Sequence, residues 1–286
     1  MKRLLLAALL LASCAAPAAQ APASVSFSPS PSPARPDLLL ATTTSTQDSG
    51  LLDVLIPDFE KKTGYKVKTS AVGTGAALAI GARGDADVVL VHAPSLEADF
   101  MKQGNGDRRL FVMHNDFIVV GPPSDPAAIK GKPVLDALKA LAAAQATFIS
   151  RGDNSGTDVL EKSLWKQAGI PPAKPWYVEA ATVMGQTLQI ASEKNAYTIT
   201  DRATYLSQKA HLQLDIVNGG DPPLLNYYHV ITVNPTKFPK VNNAGANAFA
   251  DYLIHPDTQK IIAAFGVDKY GQQLFFPDAG KPDPTG

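Results

Sequence analysis

The chain reads as an α/β protein with mainly parallel sheets. From residue 38 onward, short apolar runs of Val, Leu and Ile alternate with segments of helical period. The joints from strand to helix are rich in Gly, Ser and Thr, and no internal repeat interrupts the alternation. In such folds a ligand sits beyond the carboxyl ends of the strands, where loops meet helix starts.

Leu38–Ala41 is short and wholly apolar, which predicts a buried strand. Ser49 is a candidate N-cap for a helix with Leu51, Leu52, Leu55 and Phe59 on one side, Lys61 and Lys62 in its last turn and Gly64 as its stop. Pro57 within it predicts a kink. Strands follow at Tyr65–Ala71, Asp87–Val91 and Phe111–Val120, with helices at 76–82 and Ser95–Gln103 between them. The second half repeats the pattern, with helices at 134–145, 157–168, 184–194 and 201–209 and strands at 146–150, 196–200, 212–217 and 227–233. Helices at 243–254 and 257–265 close the chain.

The sequence has 286 residues, 45% hydrophobic and 18% charged, which suits one large domain or two lobes. Twenty-six basic residues balance 26 acidic ones, so the composition argues against a nucleic-acid binder; an anion here has to be caught by local geometry. At the N-terminus Lys2 and Arg3 precede nine apolar residues, too few to span a bilayer, so residues 1–13 read as a secretory signal. The signal ends in Leu11-Ala12-Ser13-Cys14, which resembles the lipobox of bacterial lipoproteins and implies lipid attachment at Cys14. Cys14 is the only cysteine, so a disulfide or CxxC metal site is excluded. Residues 14–37, rich in Pro, Ala and Ser, read as an unfolded tether. Anchor, stalk and body together describe an extracytoplasmic protein that touches the membrane through its lipid alone.

Three loops share one design: Thr42-Thr43-Thr44-Ser45, Gly73-Thr74-Gly75, and the SRGDNSGT segment at 150–157. Each places hydroxyls and backbone N–H groups at a helix start, where the first amides lack helical partners and the dipole favours negative charge. Arg151 adds a planar fork of donors suited to an oxyanion edge. Ser and Thr at any one such position are ordinarily only caps; three loops of this kind in one chain predict an anion cradle. The candidate ligand residues are Thr42, Thr43, Thr44, Ser45, Thr74, Arg151, Ser155 and Thr157.

Enzyme readings find less support. GDNSG at 152–156 is one residue too long for a nucleophile elbow, and the five histidines show no metal spacing. His114 and His229, inside apolar strands, read as core or hinge residues, and Trp165 and Trp176 as packing. Neither a metal cation nor a cofactor is expected. An extracytoplasmic hydrolase using Ser155 or Asp201 is the alternative of a different class.

Taken together, the motifs ATTTSTQDSGLLD (41–53), VGTGAAL (72–78), FISRGDNSGTDVLE (148–161), YTITDR (197–202) and NYYHVITVNP (226–235) resemble the tungstate-binding proteins of bacterial ABC transporters. These belong to the type II periplasmic-type solute-binding class. The resemblance implies two α/β lobes joined by two crossover strands, near 113–120 and 227–233, closing over an anion. Lobe 1 would comprise 38–115 and the returning 230–286, and lobe 2 would comprise 116–229. It also implies a monomer that captures tungstate or molybdate and hands it to a membrane permease. The family often carries His where this chain has Asp158, and a Gly-rich stretch where it reads EAATV before Met184, so the pocket rim departs from the pattern. Tungstate has no proton to donate, and a facing carboxylate would repel it. A donor-only site is therefore expected, with Asp48, Asp153, Asp158 and Asp201 turned away or paired. A phosphate receptor of the same fold, whose site would include a carboxylate acceptor, is the nearest alternative.

Overall fold

The computed structural model describes residues 33–285 apart from Asn154; the signal segment 1–13, Cys14 and tether residues 14–32 lie outside the described residues. The first half runs β1 (Asp37–Thr43), α1 (Thr44–Asp48), α2 (Leu51–Thr63), β2 (Lys66–Val72), α3 (Thr74–Gly81), β3 (Val88–Val91), α4 (Pro94–Lys102) and β4 (Gly106–Gly121). Next come α5 (Val134–Ala143), β5 (Phe148–Ser150), α6 (Gly156–Ala168), β6 (Tyr177–Glu179), α7 (Met184–Glu193), β7 (Thr198–Asp201), α8 (Arg202–Gln208) and β8 (Asp215–Gly219). The chain finishes with β9 (Leu225–Val233), α9 (Asn243–Ile254), α10 (Pro256–Ala264), α11 (Val267–Tyr270) and β10 (Phe276–Pro277).

The first lobe is a sheet in the order β10-β4-β9-β3-β1-β2. β1 runs parallel to β2 and β3, whereas β3–β9, β9–β4 and β4–β10 are antiparallel. In the second lobe the last residues of β4 pair antiparallel with β7 and β8, while β5 and β6 form a parallel pair. The sheets are therefore mixed, and the mainly parallel expectation is corrected. Its cause is β4. At 16 residues, about 50 Å of extended chain, it serves both sheets, and β9 returns beside it in the opposite direction. Pairing switches at Asp116/Phe117, from β9 to β7. β9 pairs with β4 from Leu225 onward, so the expected boundary at 229/230 falls inside a first-lobe strand and the second passage between lobes lies at 222–225.

Periodicity explains the packing. Val88 and Leu90 face a core with Leu38, Leu40, Phe59 and Phe249, while Val89 and Val91 face Ala41, Phe100 and Ile231 on the other side of the sheet. Both faces are covered, which is why β3 is apolar throughout. In lobe 2, Trp165 packs on Trp176 with ring centroids 5.4 Å apart, as expected of packing residues. His229 is fully buried and His114 stacks on Phe276.

α2 buries Leu51, Leu52, Leu55 and Phe59 and stops at Gly64 in the left-handed region. Ser49 is not its N-cap: it closes the short helix α1, and Gly50, at φ 80°, starts α2. The tether expectation also ends too late. Arg35 donates to the carbonyls of Lys240 and Val241, and Pro36 accepts from the Lys66 N–H, so residues 35–37 belong to the body.

Gly121, the last residue of β4, lies against the ring of Tyr197, whose hydroxyl donates to Asp125 and accepts from the Ala127 N–H. A methyl there would overlap a ring that is held at both ends. Gly121→Ala is expected to destabilise the fold by about 1–3 kcal/mol, read as a lower midpoint in urea unfolding.

Candidate functional site

Three strand ends bring three helix starts to one hollow between the lobes. At the first, β1 ends at Thr43, which caps α1 by accepting the Thr46 N–H at 3.2 Å. At the second, Gly73 precedes α3, which starts two residues earlier than expected and so puts Thr74 in its first turn. At the third, Ser155 caps α6 by accepting the Asp158 N–H at 3.3 Å, with Gly156 and Thr157 following. The hollow they enclose is about 50 Å³, room for a few waters or one small oxyanion.

Seven of the eight candidate residues line it: Thr43, Thr44, Ser45, Thr74, Arg151, Ser155 and Thr157. Thr42 does not. It lies within β1 with its hydroxyl donated to the Leu90 carbonyl at 2.7 Å and no surface exposed. The side-chain period of a strand turns Thr42 into the sheet and leaves Thr43 at its end.

Arg151 is pinned from one side, donating through Nη2 to Asp153, while its buried Nε has no partner among the described residues. Gly152 permits this turn: its φ is +62°, and a Cβ there would come within 2.8 Å of Glu179. Asp153 also accepts the Ser155 N–H at 3.1 Å. Asp158, on α6, accepts the Gly152 N–H at 3.0 Å and the Lys162 ammonium at 3.0 Å. Neither lines the hollow, nor does Asp48. Asp201 does; its carboxylate caps α8, accepting the Thr204 N–H at 2.8 Å and the Thr204 hydroxyl at 2.7 Å.

Residues 18–257 match the profile of the PBP superfamily domain. The chain is 48% identical to the tungstate-binding protein TupA of Peptoclostridium acidaminophilum, over 87% of this chain and 88% of that one. The solved tungstate-binding TupA from Desulfovibrio alaskensis G20 shares 46% identity, covers 85% of this chain and 99% of its own, and superposes with a TM-score of 0.80. The tungstate ABC transporter structure from Geobacter sulfurreducens shares 52% identity, with 80% and 98% covered and a TM-score of 0.72. The chain belongs to the TupA family of the PBP superfamily. Its two lobes are those of a type II periplasmic-type binding protein, and its relatives are binding components of transporters.

The hollow has a floor that sequence reasoning missed, built from His92, Asn115, Asn226 and Tyr228. His92 follows β3, and the strand-end rule points to it. Asn115 and Asn226 are polar interruptions in apolar strands, paired in register across β4 and β9. Asn226 donates through Nδ2 to Asn115 Oδ1 at 2.8 Å, and Asn115 donates to the Tyr228 hydroxyl at 3.2 Å. Burial holds the His92 imidazole below its ordinary value, because a charged ring there would lose its water. Burial likewise pushes the Asp201 carboxyl up, with the Arg151 guanidinium acting in the opposite sense. Gly156 sits close enough to His92 that a Cβ would lie 3.4 Å from its ring, so the imidazole of lobe 1 meets the helix start of lobe 2.

Behind the Arg151 loop, Glu161 is buried against Ser150 and Tyr177, both of which donate to it. Burial raises its carboxyl to about 7, with the Asp158 charge adding to the effect. The folded state thus favours protonated Glu161. The associated stability is fully present below about pH 4.5 and is lost as pH rises through about 7. Glu161→Gln, neutral throughout, is expected to be more stable than the parent chain near pH 8 by up to roughly 3 kcal/mol. Thermal melts should show the parent's decline between acidic and neutral pH flattened in the variant; parallel curves would refute the assignment.

Proposed function

We propose that this chain captures tungstate or molybdate outside the cytoplasm and delivers the anion to the permease of an ABC transporter. The observation that carries the reading is convergence: three helix starts and a buried Arg151 Nε with no partner among the described residues surround a hollow of about 50 Å³. A tetrahedral dianion needs donors on all sides, and a space this small suits a small inorganic oxyanion. Thr44, Ser45 and Thr74 supply hydroxyls and amides from one lobe; Arg151, Ser155 and Thr157 do so from the other. Contact with both lobes lets the anion favour the closed arrangement. The TupA names of the relatives support tungstate as the cargo.

Phosphate is the second reading, favoured by one observation. Asp201 lines the hollow, and an ionised carboxylate there would accept a proton from hydrogen phosphate and repel tungstate. Against it, both carboxylate oxygens already accept from Thr204. A catalytic role finds little support: Ser155, the residue a hydrolase would use, caps α6.

No helix among the described residues is long and apolar enough to cross a membrane. Attachment would rest on Cys14, with the tether spacing a monomeric body from the bilayer. Cys14→Ala is expected to move the protein from the membrane fraction to the soluble fraction of the producing cells. Retention on the membrane would remove the lipid anchor from this reading.

Calorimetric titration with tungstate, molybdate, phosphate and sulfate tests the function. Heat with tungstate and molybdate is expected; binding of phosphate alone would transfer the assignment. Arg151→Ala should weaken tungstate binding by about 2–5 kcal/mol, roughly thirtyfold or more in Kd. An unchanged Kd would remove Arg151 from the site.

A further inference from the structure

The floor of the hollow is a directional chain of hydrogen bonds, and its direction can be read. Asn226 uses Nδ2 to donate to Asn115, so its Oδ1 is the acceptor that faces His92 Nδ1 at 2.9 Å. The proton of His92 therefore sits on Nδ1. A neutral ring then leaves Nε2 bare, 3.0 Å from Thr43 Oγ1 and 3.3 Å from Ser45 Oγ. A bare ring nitrogen at these distances accepts a hydrogen bond from a neighbouring hydroxyl, and Thr43 is the nearest.

The Thr43 oxygen is occupied as well. It accepts the Thr46 N–H at 3.2 Å, and the Thr46 hydroxyl, 2.6 Å away, and the Ser45 hydroxyl, 3.2 Å away, complete its surroundings. Its one proton cannot serve both His92 and a ligand. The charged groups around His92 leave this arrangement in place. Glu97 acts on it from α4, the Tyr228 ring lies tilted against it with centroids 4.6 Å apart, and Arg151 and Asp201 line the same hollow.

We propose that His92 is a positioning residue: a neutral imidazole, protonated at Nδ1, that draws the Thr43 hydroxyl onto Nε2 and away from the ligand. It thereby fixes the 43–46 loop to the Asn115–Asn226 pair, which lies beside both passages between the lobes. The inference rests on the oxyanion reading and changes it in one respect. Thr43 lines the site as an anchored cap, and the proton donors of that loop are its amides with the Thr44 and Ser45 hydroxyls.

The test uses the full chain and tungstate. Nitrogen-15 NMR of histidine-labelled protein is expected to show one ring, assigned by its loss in His92→Gln, as a neutral Nδ1–H tautomer near pH 7, with and without tungstate. An imidazolium or an Nε2–H tautomer overturns the proposal. In titrations, His92→Leu and Thr43→Val should each weaken tungstate binding about tenfold, and the double variant no further, because both remove one link. Additive losses overturn the proposal. His92→Gln, whose side-chain carbonyl reaches for Thr43, should stay within about threefold of the parent, while His92→Asn, which reaches only Asn226, should resemble His92→Leu. A loss that follows side-chain volume instead would mean simple packing and also overturns it. If the parent chain binds none of the four oxyanions, the functional reading fails; if it binds tungstate but the losses add, only the role of His92 fails.

Discussion

A small dianion can leave water only for a place where donors already point at it, and keeping such donors unpaired inside a protein is costly. That constraint shapes the cleft. Helix starts meet it at low cost, because their first N–H groups lack partners in any helix and can face the cavity without breaking a bond elsewhere. Here two of the three starts belong to helices packed in the cores, α3 through Ala77 and Leu78 and α6 through Leu164 and Trp165, so their donors are held by the cores and not by the loops that carry them. Arg151 follows the same rule: Asp153 fixes one nitrogen, and the buried Nε has no partner among the described residues.

The acidic residues near the cleft are managed by pairing. Asp153 is used by Arg151 and by the Ser155 amide, Asp158 by the Gly152 amide and Lys162, and Asp201 by both donors of Thr204. Each carboxylate thus shapes a loop or caps a helix while its charge is taken up locally. Glu161 is managed by burial instead, which raises its carboxyl to about 7. Below that pH the protonated Glu161 behind the Arg151 loop adds no negative charge to the hollow.

The lobes are joined so that the cleft floor and the connection between them are one structure. Asn115 and Asn226 face each other on β4 and β9, one register step from the point where β4 leaves the first sheet for the second. Their side chains reach His92 and Tyr228, and His92 reaches Thr43 and faces Gly156 of the opposite lobe. The residues that hold the anion loop are thus tied directly to the strands that any opening of the cleft would have to bend.

Much of this was legible in the sequence, because it depends on local rules. Apolar runs such as Val88–Val91, the stop at Gly64, and hydroxyl- and glycine-rich joints at 42–45, 73–75 and 150–157 express period, cap and turn chemistry within a few neighbours. They were enough for the α/β class, the family resemblance and seven of the sixteen residues that line the hollow. What required the tertiary structure was set by partners far along the chain. Thr42 differs from Thr43 only in which side of a strand it faces, and Leu90, 48 residues away, claims its hydroxyl. His92 meets Asn226 across 134 residues, and Asn226 meets Asn115 across 111. The antiparallel return of β9 beside β4 is equally remote. Local chemistry determined the elements and the donors; long-range pairing decided which donors share a cavity and what holds them there, because a side chain's hydrogen bonds depend on neighbours that only folding brings within 3 Å.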